Sequence, residues 1–184
     1  MTRPHGLARL SLALALLAAP PAAAFEYRTD AHALIANLPD SWHICMNESP
    51  APNHGFWVLM EQGDCDRDDP IAKSASPMVV FSISYNVVRE YRTAADMQAD
   101  ICGRVPALRA RLRVAGARLM VCPMPPKDGF ERATYFGVRP RTGQHISSWT
   151  EITITASCPT ATMPRCRKVA AEIATRMRDW PQDQ

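Results

Sequence analysis

The chain has 184 residues, 21 basic against 18 acidic, and a formal net charge of +3. That near balance excludes the strongly basic face of a typical nucleic-acid binder, so no nucleic-acid partner is expected. The length suits one domain with enough chain to bury a hydrophobic core.

The first residues set the compartment. Arg3 and Arg9 make a positive start, residues 10–19 form an uncharged apolar run, and Pro20 and Pro21 break any helix there. Ala22, Ala23 and Ala24 then offer the small side chains a signal peptidase needs. The expected organisation is a cleavable signal peptide over 1–24 and a single domain over 25–184, opening at Phe25. The apolar run is too short to cross about 30 Å of hydrocarbon as a helix, and no later run is longer, so no membrane span is expected. No cysteine lies near the cleavage point to carry a lipid. The leader removes two arginines and no acid, which leaves the rest close to neutral. Arginine greatly outnumbers lysine, which occurs only as Lys73, Lys127 and Lys168, a habit of GC-rich bacterial coding sequences. The expected location is the periplasm or the exterior.

Exported cysteines are normally oxidised. Cys45, Cys65, Cys102, Cys122, Cys158 and Cys166 are an even set, which predicts three disulfides. Many connectivities are open. The sequential one, Cys45–Cys65, Cys102–Cys122 and Cys158–Cys166, is favoured because each bond would close a short loop between adjacent elements. Each would stabilise by about 2–4 kcal/mol. A metal site is the rival reading, but no C-x-x-C occurs, and neither metal nor cofactor is expected.

In chain order, residues 30–37 read as a short helix capped by Asp30 with Leu34 and Ile35 inward. A turn over 38–41 leads to a strand over 42–46, a polar loop over 47–55 and a strand over 56–61. An acidic loop spans 63–70. Val79, Phe81, Ile83 and Tyr85 alternate with Ser82 and Ser84, the mark of a half-buried strand. Thr93 caps a helix through Met97 and Ile101 toward Pro106, after which Leu108 and Leu112 continue in helical turns. A strand over 117–122 stops at Pro123, Pro125 and Pro126. Strands over 130–138 and 146–156 flank the turn at 140–143. A helix over 164–180 closes the chain, with Val169, Ile173, Met177 and Trp180 along one stripe. The class is α+β: an antiparallel sheet with a central helix and a C-terminal helix packed on it, stabilised by disulfides.

This order resembles the PsbP-like α/β sandwich. The residues that carry the resemblance are Leu38, Pro39, Asp40, Ser41 and Trp42, the strand over 79–85 leading into the Thr93 helix, and a last strand running into the C-terminal helix. The resemblance implies an exported, mostly non-catalytic protein, assembly factors among its kind.

Chemistry-bearing residues are sparse. His43 and Cys45 share a face of one strand, with His54 in the loop beyond. The plainer expectation is a partly buried His43 and a solvated His54. A small periplasmic hydrolase built on His43 and His54 with an acid from the loop is the enzymatic alternative, but no nucleophile completes it. Glu131 and Glu151 could face each other across a hairpin as glycosidase carboxylates do. The densest charge is Asp64, Asp66, Asp68 and Asp69. Calcium is disfavoured there: with Asp64 first, Asp69 and Ala75 stand where an EF-hand needs Gly and Glu. The loop instead suits pairing with arginine on a protein partner. The leading reading is therefore a non-enzymatic periplasmic binding protein that contacts its partner through Asp64, Asp66, Asp68, Asp69, Asn53 and His54. By class it is similar to the immunity proteins of type VI secretion effectors, with a toxin or effector as partner. A PsbP-like envelope assembly factor is the third reading.

Overall fold

A computed structural model describes residues 24–47, 54–66, 76–85, 91–140 and 149–180. Residues 1–23, where the signal peptide is expected, most of the expected 47–55 loop, the acidic residues beyond Asp66 and most of the expected 140–143 turn lie outside the described residues. Strands β1 (Ala24–Thr29) and β2 (Leu34–Pro39) open the fold. They are followed by β3 (His43–Asn47), β4 (His54–Leu59) and β5 (Met78–Ser84), then helix α1 (Ala94–Cys102). β6 (Leu108–Val114), β7 (Ala117–Lys127), β8 (Phe130–Pro140) and β9 (Trp149–Pro159) come next. Helix α2 (Met163–Arg176) and the short β10 (Arg178–Asp179) end it. The larger sheet runs β3-β4-β5-β9-β8-β7-β6, and the smaller runs β1-β2-β10. Neighbouring strands in both are antiparallel, so the α+β class stands. Among the described residues no helix is long and apolar enough to cross a membrane.

The alternation of each strand decides which face it gives to which layer. Phe56 and Val58 of β4, Phe81 and Ile83 of β5, and Ile152 and Ile154 of β9 meet α2 and the small sheet in the main core. From α2 come Ala170, Ile173 and Ala174. The opposite face carries two smaller clusters. Met97 and Cys102 of α1 pack on Cys122 and Phe136, while Cys45, Trp57, Leu59 and Met78 gather near the other edge.

The start of the chain differs from the sequence reading. Residues 30–37 are a 3-10 turn over Asp30–His32, then strand β2. Tyr27 and Thr29 of β1 face inward with Leu34, Ala36 and Leu38 of β2, a period of two that the adjacent Leu34 and Ile35 disguise as a helical pair. Ala33 turns the corner in the left-handed region, at φ 49°.

α1 obeys its cap as expected. Thr93 accepts from the Asp96 backbone N–H while Asp96 accepts from the Thr93 N–H, satisfying two orphan donors. Residues 108–114, expected to extend the helix, form strand β6 instead. In β6 the buried or half-buried Ala110, Leu112 and Val114 alternate with exposed Arg109, Arg111 and Arg113, and that period rules out a helical stripe. β7 also runs through the prolines expected to stop it. Its pairing with β6 ends at Leu108 opposite Val121. Beyond that point β7 is locally an edge, where a residue without an N–H is tolerated.

α2 ends at Arg176, short of the expected 180. Met177 turns to extended backbone and β10 pairs with β2, Arg178 opposite Ile35. The Trp180 N–H donates to the Ala33 carbonyl at 2.9 Å, and its ring lies under the Arg28 guanidinium at 3.9 Å. Trp180 thus belongs to the small sheet and not to the helical stripe.

All three disulfides have the sequential pairing, and no described cysteine is free. Cys45–Cys65 ties the segment after β4 to β3, Cys102–Cys122 ties the end of α1 to β7, and Cys158–Cys166 ties β9 to α2. Such oxidised cysteines fit an exported protein.

Candidate functional site

The acidic segment is built onto the sheet by one covalent bond. Cys45 is buried on β3 opposite Trp57 of β4. Its partner Cys65 crosses to it from the segment beyond β4. Asp64 and Asp66, the residues on either side, are exposed. The Asp66 backbone N–H donates to Asp64 Oδ1 at 2.9 Å, closing an Asx turn that fixes the Asp64 carboxylate against the Asp66 backbone. Asp68, Asp69 and Asn53 lie outside the described residues.

His43 stands on the same face of β3 as Cys45, two residues earlier, with Nε2 3.7 Å from Cys65 Sγ. It is exposed, against the expectation of a partly buried ring. His43, Cys45 and Cys65 bring three ligand-type atoms within 4.8 Å. Both sulfurs are spent in the disulfide and present no thiolate, the form that ligates metals. The chemistry left to this surface is charge and hydrogen bonding.

His54 is elsewhere. It is the first residue of β4, opposite Ile83, half-buried beside His32 with the ring centroids 5.2 Å apart. It is therefore not the solvated loop residue expected. His43 pairs with Leu59 at the far end of β4. Five residues of strand separate the two positions, about 17 Å at 3.3 Å per residue. Odd spacing also puts their side chains on opposite faces of the sheet. The hydrolase constellation of His43 and His54 is not assembled. The same geometry splits the expected contact set, with Asp64 and Asp66 near the β3 edge and His54 on the α2 side.

Glu131 and Glu151 do not face each other either. Glu131 lies opposite Cys158 and accepts from Arg167 of α2 at 3.3 Å, while Glu151 lies opposite Val138 on the face that holds α1. There Glu151 belongs to a small polar group that the sequence did not signal. Burial first, and then the Asp100 carboxylate of α1, raise its pKa, while a hydrogen bond to Ser84 works the other way. The Tyr91 hydroxyl donates to Asp100. Thr134 and Thr155 touch through their hydroxyls at 3.2 Å on this same face. Only helix docking brings Asp100 to Glu151, so no local pattern could have revealed the pair.

No protein-family model matches the chain, and no curated protein matches it in sequence. The solved structures similar in chain path include two at low sequence identity. One is LpqN of Mycobacterium tuberculosis, described as involved in cell envelope biogenesis, at 15% identity and TM-score 0.47 over 80% of this chain and 83% of that one. The other is the cyanobacterial PsbP, CyanoP, of Synechocystis, at 13% identity and TM-score 0.47 over 88% of this chain and 95% of that one. The second is a protein of the PsbP kind that the order of elements resembles. Nothing about function rests on likenesses this distant.

Proposed function

We propose that this chain is an exported, non-enzymatic binding protein of the bacterial periplasm whose partner is a protein with a basic docking surface. In its most specific form the reading is an immunity protein that neutralises a toxin delivered to that compartment. A signal peptide over 1–24, removed to leave Phe25 first, is part of the reading. The observation that carries it is the acidic turn: two exposed aspartates flank a cysteine whose sulfur partner is buried in the sheet. A turn tied down in this way loses little freedom when a partner docks. Aspartates are costly to bury without partners but pair strongly, in bidentate fashion, with arginine.

The test has two stages. The tagged chain is expressed with its leader in the native host, and the periplasmic fraction is cross-linked and captured. The expected result is a chain beginning at Phe25 with a basic partner attached. Asp66→Lys is then expected to slow association by about tenfold at low salt. Folding should stay within about 0.5 kcal/mol of the parent, as for an exposed site. A partner that associates equally fast with Asp66→Lys would remove the acidic turn from the interface. A partner that proves to be an envelope assembly component would replace the immunity reading with the PsbP-like one.

A further inference from the structure

The edge of the large sheet farthest from the acidic turn has its own chemistry. β6 is the last strand of that sheet, and among the described residues it pairs only with β7. Its outer row of N–H and C=O groups is a template for one more strand. Arg109, Arg111 and Arg113 are exposed at alternate positions of it, across a shift in its register with β7. Arg118 of β7, directly opposite Arg113, is exposed beside them. The ion pairs of the described residues include none of these four. Leu108, at the start of the strand, is 56% exposed. A cleft of about 430 Å³ lies against the edge, where Arg111 and Arg113 share the lining with Leu112, Ala115, Ala174 and Met177, and Asp179 lies at its side. Asp179 is itself paired with Arg139.

We propose that β6 is a docking edge for an extended segment of another protein that alternates acidic and apolar residues. Both halves of that pattern come from the strand. Acids at every second position would stand opposite Arg109, Arg111 and Arg113. The intervening side chains would fall between these acids, against Leu112, Ala174 and Met177 in the cleft that Arg111 and Arg113 also border. Backbone pairing supplies affinity and the alternating side chains supply selectivity, as in other strand-addition complexes. Charges and bulges also guard an open edge against unwanted pairing with neutral or apolar strands. Here a bulge is present between Arg109 and Arg113, and three neighbouring cations accumulate besides. This site is independent of the acidic turn and holds whether or not the turn binds a partner.

The probe is a fluorescent nine-residue peptide of alternating Glu and Val, titrated with the intact oxidised protein and followed by anisotropy. Saturable binding is expected, weakening as salt is raised. A scrambled peptide of the same composition should bind at least tenfold more weakly. So should the triple variant Arg109→Ala, Arg111→Ala, Arg113→Ala toward the original peptide, with the melting temperature unchanged. Methylating every second peptide amide should weaken binding in one phase and not in the other, because alternate amides of a strand face opposite sides. That arm uses the parent protein and does not depend on how the variant folds. Equal binding of the scrambled peptide, or equal effects of the two methylation phases, would overturn the proposal. So would failure of the peptide while phosphatidylglycerol vesicles or single-stranded DNA bind through the same arginines, which would make this a general polyanion surface.

Discussion

The residue with the clearest energetic consequence is Glu151. Burial and the Asp100 carboxylate hold its pKa above the ordinary 4.5, so the native state keeps a proton that the unfolded chain has already released. Stability therefore falls as pH rises from the unfolded value through the folded one, and above that window the fold bears the full penalty of the charge. Below the unfolded value the penalty is absent. Glu151→Gln is expected to be more stable than the parent at neutral pH, with the difference closing below pH 4.5. Urea midpoints at the two pH values measure this. A variant less stable at neutral pH would mean that the hydrogen bond to Ser84 outweighs burial and repulsion. Tyr27 shows the same cost in another form. It packs on Phe56 and Phe81, and burial drives its pKa upward. Its hydroxyl has no hydrogen-bond partner among the described residues.

Among the elements, β4 has least room for change. Gly55 lies opposite Ser82 of β5, and a Cβ there would meet the Phe81 carbonyl oxygen at 2.1 Å. Backbone cannot swing aside as a flexible side chain can, so the strands would have to part. Gly55→Ala is expected to cost about 1–3 kcal/mol, the range of an overpacked core. Denaturant unfolding with an unchanged slope would report it. A loss within experimental error would mean that β4 can shift its pairing with β5. The proline-bearing end of β7 shows the opposite freedom, because no strand of β6 runs beside it. The sequence reading missed that end of β7 because a proline's effect depends on whether a neighbour needs its N–H, and the neighbour is not local.

For the whole molecule, the two charged surfaces belong to opposite edges of one sheet. The acidic turn is bonded to β3 at one end of the strand order, and the arginine row is on β6 at the other. Six strand spacings separate these edges, about 29 Å at 4.8 Å each. A partner on one edge leaves the other open. Disulfides hold this arrangement together. The two loops with a separation of 20 residues each contribute about 3 kcal/mol on the chain-entropy account, and the shorter loop slightly less. Access differs among them, since Cys65 is half-buried and the other five cysteines are buried. Alkylation of the denatured, unreduced protein is expected to add no label. Graded reduction of the folded protein should label Cys45 and Cys65 first, because exchange needs access to a sulfur. Peptide mapping would show the order, and early label at Cys102 or Cys122 would contradict it.

Features whose physics is local or combinatorial were legible in the amino-acid order alone. The Thr93 cap, the alternation from Val79 to Ile83, the closing amphipathic helix and the full oxidation of an even cysteine set are of this kind. Each depends on residues a few positions apart or on the count of cysteines. Tertiary structure decided the rest. It made 34–39 a strand, because β1 and β10 flank it. It made 108–114 an edge strand, and so turned scattered arginines into a row. It sent His43 and His54 to opposite faces and brought Asp100 against Glu151. Those outcomes depend on partners far away in the chain, and hydrogen bonding and burial are settled only when the partners meet.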